Sequence, residues 1–292
     1  MKRFRTGLTV VELLTVVAIM ALLVGVLLPA VTAVRRTAKE AKQQVQITTI
    51  DLALTAFRND YGDYPPSDWS PFVAVRDYCG AQKLCEALLG WDLLGFHLES
   101  GWRADGLDEN GGTLSYDPAR DRGDDTLYER KGPYLELATT NAFKLGDIYN
   151  DFGLLKPTTF VLCDVFGVRT IRMTNGKIVK AGTPILYYKA DISSKIMEDP
   201  DSSPDDPIYD KYDNIALISL GKLTPDGQQG GQHKLITNDG VNGAEGRYFY
   251  SPEYKIIDPK IAIPWPYRPD SYILISAGAD GEYGTADDIT NF

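Results

Sequence analysis

The sequence predicts an α+β chain in which one long N-terminal helix packs on an antiparallel β-sheet globular domain. Three observations predict it. The run from Leu8 to Val34 is apolar and carries one charged side chain, Glu12. Ile47, Ile50, Leu54, Phe57 and Tyr61 then recur at spacings of three and four with no proline or glycine between them, which marks one face of an amphipathic helix. Beyond Pro65-Pro66 the pattern changes to short β-like runs separated by turn residues, as in an antiparallel sheet.

Composition narrows the function. A chain of 292 residues, 43% of them hydrophobic, can bury a real core. Thirty Lys and Arg stand against 40 Asp and Glu, a net charge of −10. That balance argues against a nucleic-acid partner, which needs cations to neutralise phosphates. Two histidines (His97, His233) and three cysteines (Cys79, Cys85, Cys163) are too few for a His/Cys zinc cluster and leave few candidates for a Ser-His-Asp site.

Residues 1–7 read MKRFRTG, with Lys2, Arg3 and Arg5 and no acid. As a helix, the run 8–34 would be about 40 Å long at ~1.5 Å per residue. It therefore spans a hydrocarbon core of roughly 30 Å with some tilt. The short basic leader predicts a cytoplasmic N-terminus, with the body of the chain across the membrane. A secretory signal peptide fits less well, because its apolar region is about 7–15 residues and ends at an A-x-A site. Here the run is longer, and Ala30-Val31-Thr32-Ala33 is a poor match. A plain signal anchor accounts for the run and the leader but not for Glu12. An acid in an apolar span costs about 2.5–3.5 kcal/mol at mid-helix and less near an end, and no basic side chain lies within the run. A cut between Gly7 and Leu8 would supply a partner. The new α-amino group on Leu8 lies four residues, one helical turn, before Glu12. The two charges can meet in one chain or between neighbouring helices, where they would set the axial stagger.

The stretch GLTVVELLTVVAIMALLVGVLLPAV resembles the class III signal of type IV prepilins and type II secretion pseudopilins. That signal has a short basic leader, Gly before the cut, an apolar residue after it, and Glu four residues later in an apolar run. Gly7, Leu8, Glu12 and Pro29 fall on the family positions, and Leu8 stands where Phe or Met is commoner. The resemblance implies cutting after Gly7 and N-methylation of Leu8 by a prepilin peptidase. It implies a single-pass protein of a bacterial inner membrane with its globular domain in the periplasm. The mature helix would assemble with copies of itself and other pseudopilins on an inner-membrane secretion platform, forming a filament that acts as a piston or plug beneath an outer-membrane pore. Such a role is structural, not enzymatic, and involves no nucleic acid. The rival readings are a type IV pilin for adhesion, motility or DNA uptake, and a minor pseudopilin at the filament tip. Pilins often close the C-terminal region with a disulfide, and no late cysteine pair exists here. From another class, a membrane-anchored periplasmic enzyme with two carboxylates lacks any motif that pairs them.

Within the span, Pro29 removes a helical hydrogen bond and Gly25 lies four residues before it, which predicts a bend or a soft stretch that filament assembly would use. The second half of the helix, 35–62, is amphipathic and ends near Asn59 to Gly62, stopped by Gly62 and Pro65-Pro66. The segment FRNDYGDYPPS also resembles the helix exit of major pseudopilins. The globular domain is then 63–292. A short helix is expected over 81–90, where Ala81, Leu84, Cys85, Leu88 and Leu89 share a face. Polar stretches near 99–131 and 198–213 read as exposed insertions. β-like runs follow at Thr159–Asp164, Pro184–Ala190, Asn214–Leu220, Arg247–Tyr250 and Ser271–Ser276. Cys79 and Cys85, six residues apart, suit a bridge in an oxidising compartment; alternatively, Cys85 is a core residue on the apolar face of the short helix. Cys163 reads as buried packing. The stretch from Leu217 to Gly230 echoes that from Leu274 to Gly284, both reading strand, S-x-G and DGxxG; chance similarity of glycine-rich turns explains it better than a repeat.

The C-terminus, SAGADGEYGTADDITNF, offers carboxylates at Asp280, Glu282, Asp287 and Asp288 between glycines. Calcium takes about six to eight oxygens, and the EF-hand spacing is absent. The residues alone suit a solvated acidic turn and a calcium site equally. The resemblance implies calcium, because major pseudopilins of type II secretion end in a similar S-x-G-x-D-G…D-D loop that binds it. By that match Asp280, Asp287 and Asp288 would be ligands, with Ser276 nearby, although the loop here is shorter than the common form.

Overall fold

The computed structural model describes residues 9–68, 78–108, 115–116, 129–137, 139–173, 176–194, 208–237, 249–255 and 264–292. It divides into two compact units, Met1–Ala41 and Lys42–Phe292. Gly7, Leu8, much of both expected insertions and residues 247–248 of the run Arg247–Tyr250 lie outside the described residues.

Helix α1 runs Val10–Tyr61 and contributes to both units. From Val10 to Val34 its side chains are apolar on nearly every face, with Glu12 the one charge. Large side chains from Val10 to Val34 are exposed, Leu22 and Leu28 by 68% and 63%. By length and composition the helix can cross a membrane. It continues through Pro29, where Thr32 Oγ1 donates to the Pro29 carbonyl (2.8 Å).

In the second unit α1 becomes one-sided. Ile47, Ile50, Ala53, Leu54 and Phe57 are buried, which is the expected stripe. It ends on Gly62, whose φ of 87° suits a residue without Cβ and whose N–H donates to Arg58 O (2.7 Å). Helix α2, Gly80–Leu89, is buried along its whole length. Gly80 permits this, because a Cβ there would stand 2.4 Å from the Tyr187 carbonyl.

The remaining elements are β1 (Ala142–Lys144), α3 (Leu145–Ile148), β2 (Phe160–Leu162), β3 (Arg169–Arg172), β4 (Ile178–Ala181), β5 (Leu186–Lys189), α4 (Ile215–Ile218), α5 (Lys234–Thr237), β6 (Tyr250–Lys255), β7 (Pro264–Pro266), β8 (Tyr272–Ser276) and β9 (Ile289–Thr290). Among the described residues they form four small sheets, β1-β2, β3-β4, β5-β8-β9 and β6-β7. Every pairing is antiparallel, with Leu186 opposite Ile275 and Ile275 opposite Thr290 in the three-stranded sheet.

Strand β8 has two buried faces, which explains its unbroken YILIS run. Tyr272 and Leu274 join the cluster containing Ile47, Leu54 and Phe57 of α1. Ile273 and Ile275 join the cluster containing Tyr188, Leu217 and Tyr283. Asp51 of α1 fastens the chain end to this layer. It accepts from Tyr272 Oη (2.7 Å), Asn291 Nδ2 (3.0 Å) and Arg268 Nη1 (3.3 Å).

Two expectations change and one open alternative is resolved. Residues 214–220 are not a strand: a 3-10 turn at Lys211–Asn214 leads into α4. Asn214 is committed to other elements there, its Oδ1 accepting from Ala81 N (2.8 Å) and its Nδ2 donating to Tyr187 O (2.7 Å). The echo of 217–221 in 274–278 therefore pairs a helix with a strand and is no repeat. Cys79 and Cys85 are free and buried, as is Cys163. Six residues along a helix advance about 9 Å, beyond the roughly 7 Å over which two Cα atoms can be bridged. Cys85 instead packs with Leu84 and Leu88. Finally, the described part of 99–131 is not all exposed. Ala104, Ser115, Tyr116 and Arg130 are buried, and Ser100 and Tyr116 donate to the buried Glu86 carboxylate of α2.

Candidate functional sites at the two chain ends

At the N-terminus, Glu12 lies in the first turn of α1. Its Oε2 accepts from the Thr9 N–H and the Thr9 hydroxyl, both at 2.8 Å, while Glu12 N–H donates to Thr9 Oγ1 at 3.3 Å. This is a reciprocal capping box, which satisfies donors that the helix start leaves without intrahelical partners. The carboxylate also faces the positive end of the helix dipole. The same signal is legible in the sequence as Thr9-x-x-Glu12 ahead of an apolar run. Leu8, the residue expected to carry the new amine, immediately precedes the amide that Glu12 binds.

At the C-terminus, the loop between β8 and β9 folds back on itself. Gly278 allows the crossing, with φ 64° and room for no Cβ, since one would stand 2.1 Å from Asp287 O. Asp287 organises the turn. Its Oδ2 accepts from the N–H groups of Ala279 (2.9 Å) and Asp280 (3.1 Å), and its Oδ1 from Thr285 Oγ1 (2.6 Å). Asp280 Oδ1 accepts from Glu282 N (2.8 Å). Asp288 Oδ2 accepts from Gly284 N (2.8 Å).

The structure thus brings Asp280 and Asp287 together. Partial burial and then the charge of Asp287 raise the Asp280 carboxyl above its ordinary range. Asp287 is lowered; burial opposes this, and the Thr285 hydroxyl and the Asp280 and Ala279 amides outweigh it. The pair titrates as a unit, and a divalent cation would relieve the same repulsion as a proton. Ser276 is fully buried at the end of β8, and its Oγ has no hydrogen-bond partner among the described residues. Were a cation to bind here, the facing Asp280 and Asp287 carboxylates would be the groups to hold it. Among the described residues no group of three or more His, Cys, Asp or Glu side chains is arranged to hold a metal, so backbone carbonyls or hydroxyls would complete the oxygen set.

No known protein family, characterised protein or solved structure matches this chain. Its class follows from its own fold: an α+β protein with a long, apolar N-terminal helix and small antiparallel sheets.

Proposed function

We propose that the chain is a structural, pilin-like subunit, most like a major pseudopilin of a type II secretion system. The observation that carries this reading is α1. A membrane-length apolar stretch holds one acid in its first turn, next to the position that leader removal would convert to an amine. The same helix then supplies the apolar stripe on which a sheet domain packs. In this reading a prepilin peptidase cuts after Gly7 and methylates Leu8. The helix stays in the inner membrane until assembly, the globular domain lies in the periplasm, and copies join other pseudopilins in a filament that aids export of folded proteins. Calcium, held by Asp280 and Asp287, stiffens the C-terminal loop.

The capping box gives specific support to a second reading, a plain membrane anchor, because Thr9 alone accounts for the acid. Glu12→Gln separates the two, since glutamine can serve in a capping box but carries no charge. If Glu12 pairs with the Leu8 amine, the Gln variant is inserted and processed normally yet forms no cysteine-crosslinked ladders in membranes. An uncompensated charge buried in an assembly is strongly disfavoured. Ladders equal to wild type from processed Glu12→Gln would favour the plain anchor. Intact-mass analysis of Gly7→Leu tests processing, and normal loss of residues 1–7 would overturn the class III signal.

A further inference from the structure

The proposed function supplies no role for segment 221–235 of the globular unit. It opens as a tight hairpin. Lys222 N–H donates to Gly231 O (2.9 Å), Gly230 N–H donates to Lys222 O (2.8 Å), and Leu223 bridges Gln229. Its far end carries His233, fully buried, followed by α5 with the buried Leu235.

This segment grips the C-terminal loop around Tyr283. The Tyr283 N–H donates to His233 Nδ1 (3.1 Å), and the Leu235 N–H donates to Tyr283 O (3.0 Å). The His233 and Tyr283 rings pack at 4.5 Å between centroids. The Tyr283 hydroxyl reaches inward to the Pro184 carbonyl. Gly284 lies so close to Leu235 that a Cβ would stand 2.6 Å from its backbone nitrogen. Lys222 Nζ lies 3.8 Å from Glu282. Both backbone groups of Tyr283 and both ends of its side chain are therefore fixed from outside the loop.

Tyr283 sits between Asp280 and Asp287 in the chain. Fixing it fixes the reach of the loop on either side. We propose that His233 is the positioning residue of the C-terminal loop, setting through Tyr283 the approach of Asp280 to Asp287 at which a divalent cation binds. The inference rests on the calcium reading for its ligand, but its geometry does not involve the metal. An accepting Nδ1 requires a neutral ring, and burial holds the His233 pKa down to about 4. The ring therefore stays an acceptor at neutral pH. A phenyl ring would keep the packing and leave the buried Tyr283 N–H without its acceptor.

The test uses the full chain in detergent micelles, with calcium chloride as the probe. Two variants are compared with wild type: His233→Phe, which keeps the ring, and His233→Asn, whose Oδ1 can stand near the Nδ1 position. The calcium midpoint is read from the thermal shift, and protection of the Tyr283 amide from hydrogen exchange in chelator. The expected result for His233→Phe is a midpoint at least tenfold higher, with loss of Tyr283 protection. His233→Asn should stay within threefold of wild type on the midpoint and keep the protection. A His233→Phe protein that melts lower but keeps the wild-type midpoint would make His233 merely structural and overturn the proposal. If wild type shows no calcium response, the calcium reading fails and amide protection alone decides the positioning role. Loss of protection in His233→Phe supports it, and retention overturns it.

Discussion

Replacing Asp280 by asparagine should stabilise the metal-free protein and abolish its response to calcium, two effects of opposite sign. In the folded chain Asp280 faces Asp287, and burial together with that charge raises its carboxyl. A carboxyl whose folded pKa is raised favours the native state below its unfolded pKa and loses that contribution as pH rises through the folded value. At neutral pH the metal-free loop therefore holds two facing charges. Asparagine removes one of them and keeps an Oδ1 acceptor for the Glu282 N–H now held at 2.8 Å. Asp280 is only partly shielded and remains largely open to solvent, so the gain belongs on the scale of surface pairs, about 0.5 kcal/mol. That is a melting point higher by about 1–2 °C in chelator. Calcium at a hundred times its dissociation constant stabilises wild type by about 2.7 kcal/mol, or about 5–10 °C, and should do nothing for Asp280→Asn. Thermal unfolding of both proteins with calcium and with chelator measures all four quantities. A wild type insensitive to millimolar calcium, together with an Asp280→Asn protein less stable in chelator, would refute the facing-charge argument.

Other perturbations probe the scaffold. Asp51→Ala deprives Tyr272, Asn291 and Arg268 of their common acceptor; with Asp51 partly exposed, a loss of about 2–3 kcal/mol is expected in urea unfolding, and a change under about 0.5 kcal/mol would show that the chain end is held by packing alone. Glu86→Gln should gain on wild type in unfolding free energy as pH rises from about 4 towards 7, because burial raises the Glu86 carboxyl and the charged form disfavours the native state; a pH-independent difference would contradict this. The thiols of Cys79, Cys85 and Cys163 are free and buried, so mass analysis should find no alkylation in native buffer and three additions in denaturant. A mass two units low, with one alkylated thiol, would reveal a disulfide.

Several elements could be read without the structure because their signals lie among near neighbours in the chain. The stripe Ile47 to Tyr61, the α2 face around Leu84 and Leu88, and the apolar run of β8 follow from periodicity alone. The capping box of Thr9 and Glu12 is equally local, its two members three residues apart. The apolar run at 214–220 shows the limit. Its composition suits a strand or a short helix, and the decision came from Asn214, whose amide bonds both α2 and β5. Asp51 meets partners far along the chain, Tyr272 and Asn291. His233 had no visible role until Tyr283, fifty residues later, presented its N–H. Local patterns persist in any conformation of the chain, so sequence alone determined α1, α2, the central strand and the anchor-like N-terminus. Which polar groups meet depends on where distant segments are brought together as the core closes, and only the tertiary structure decided that.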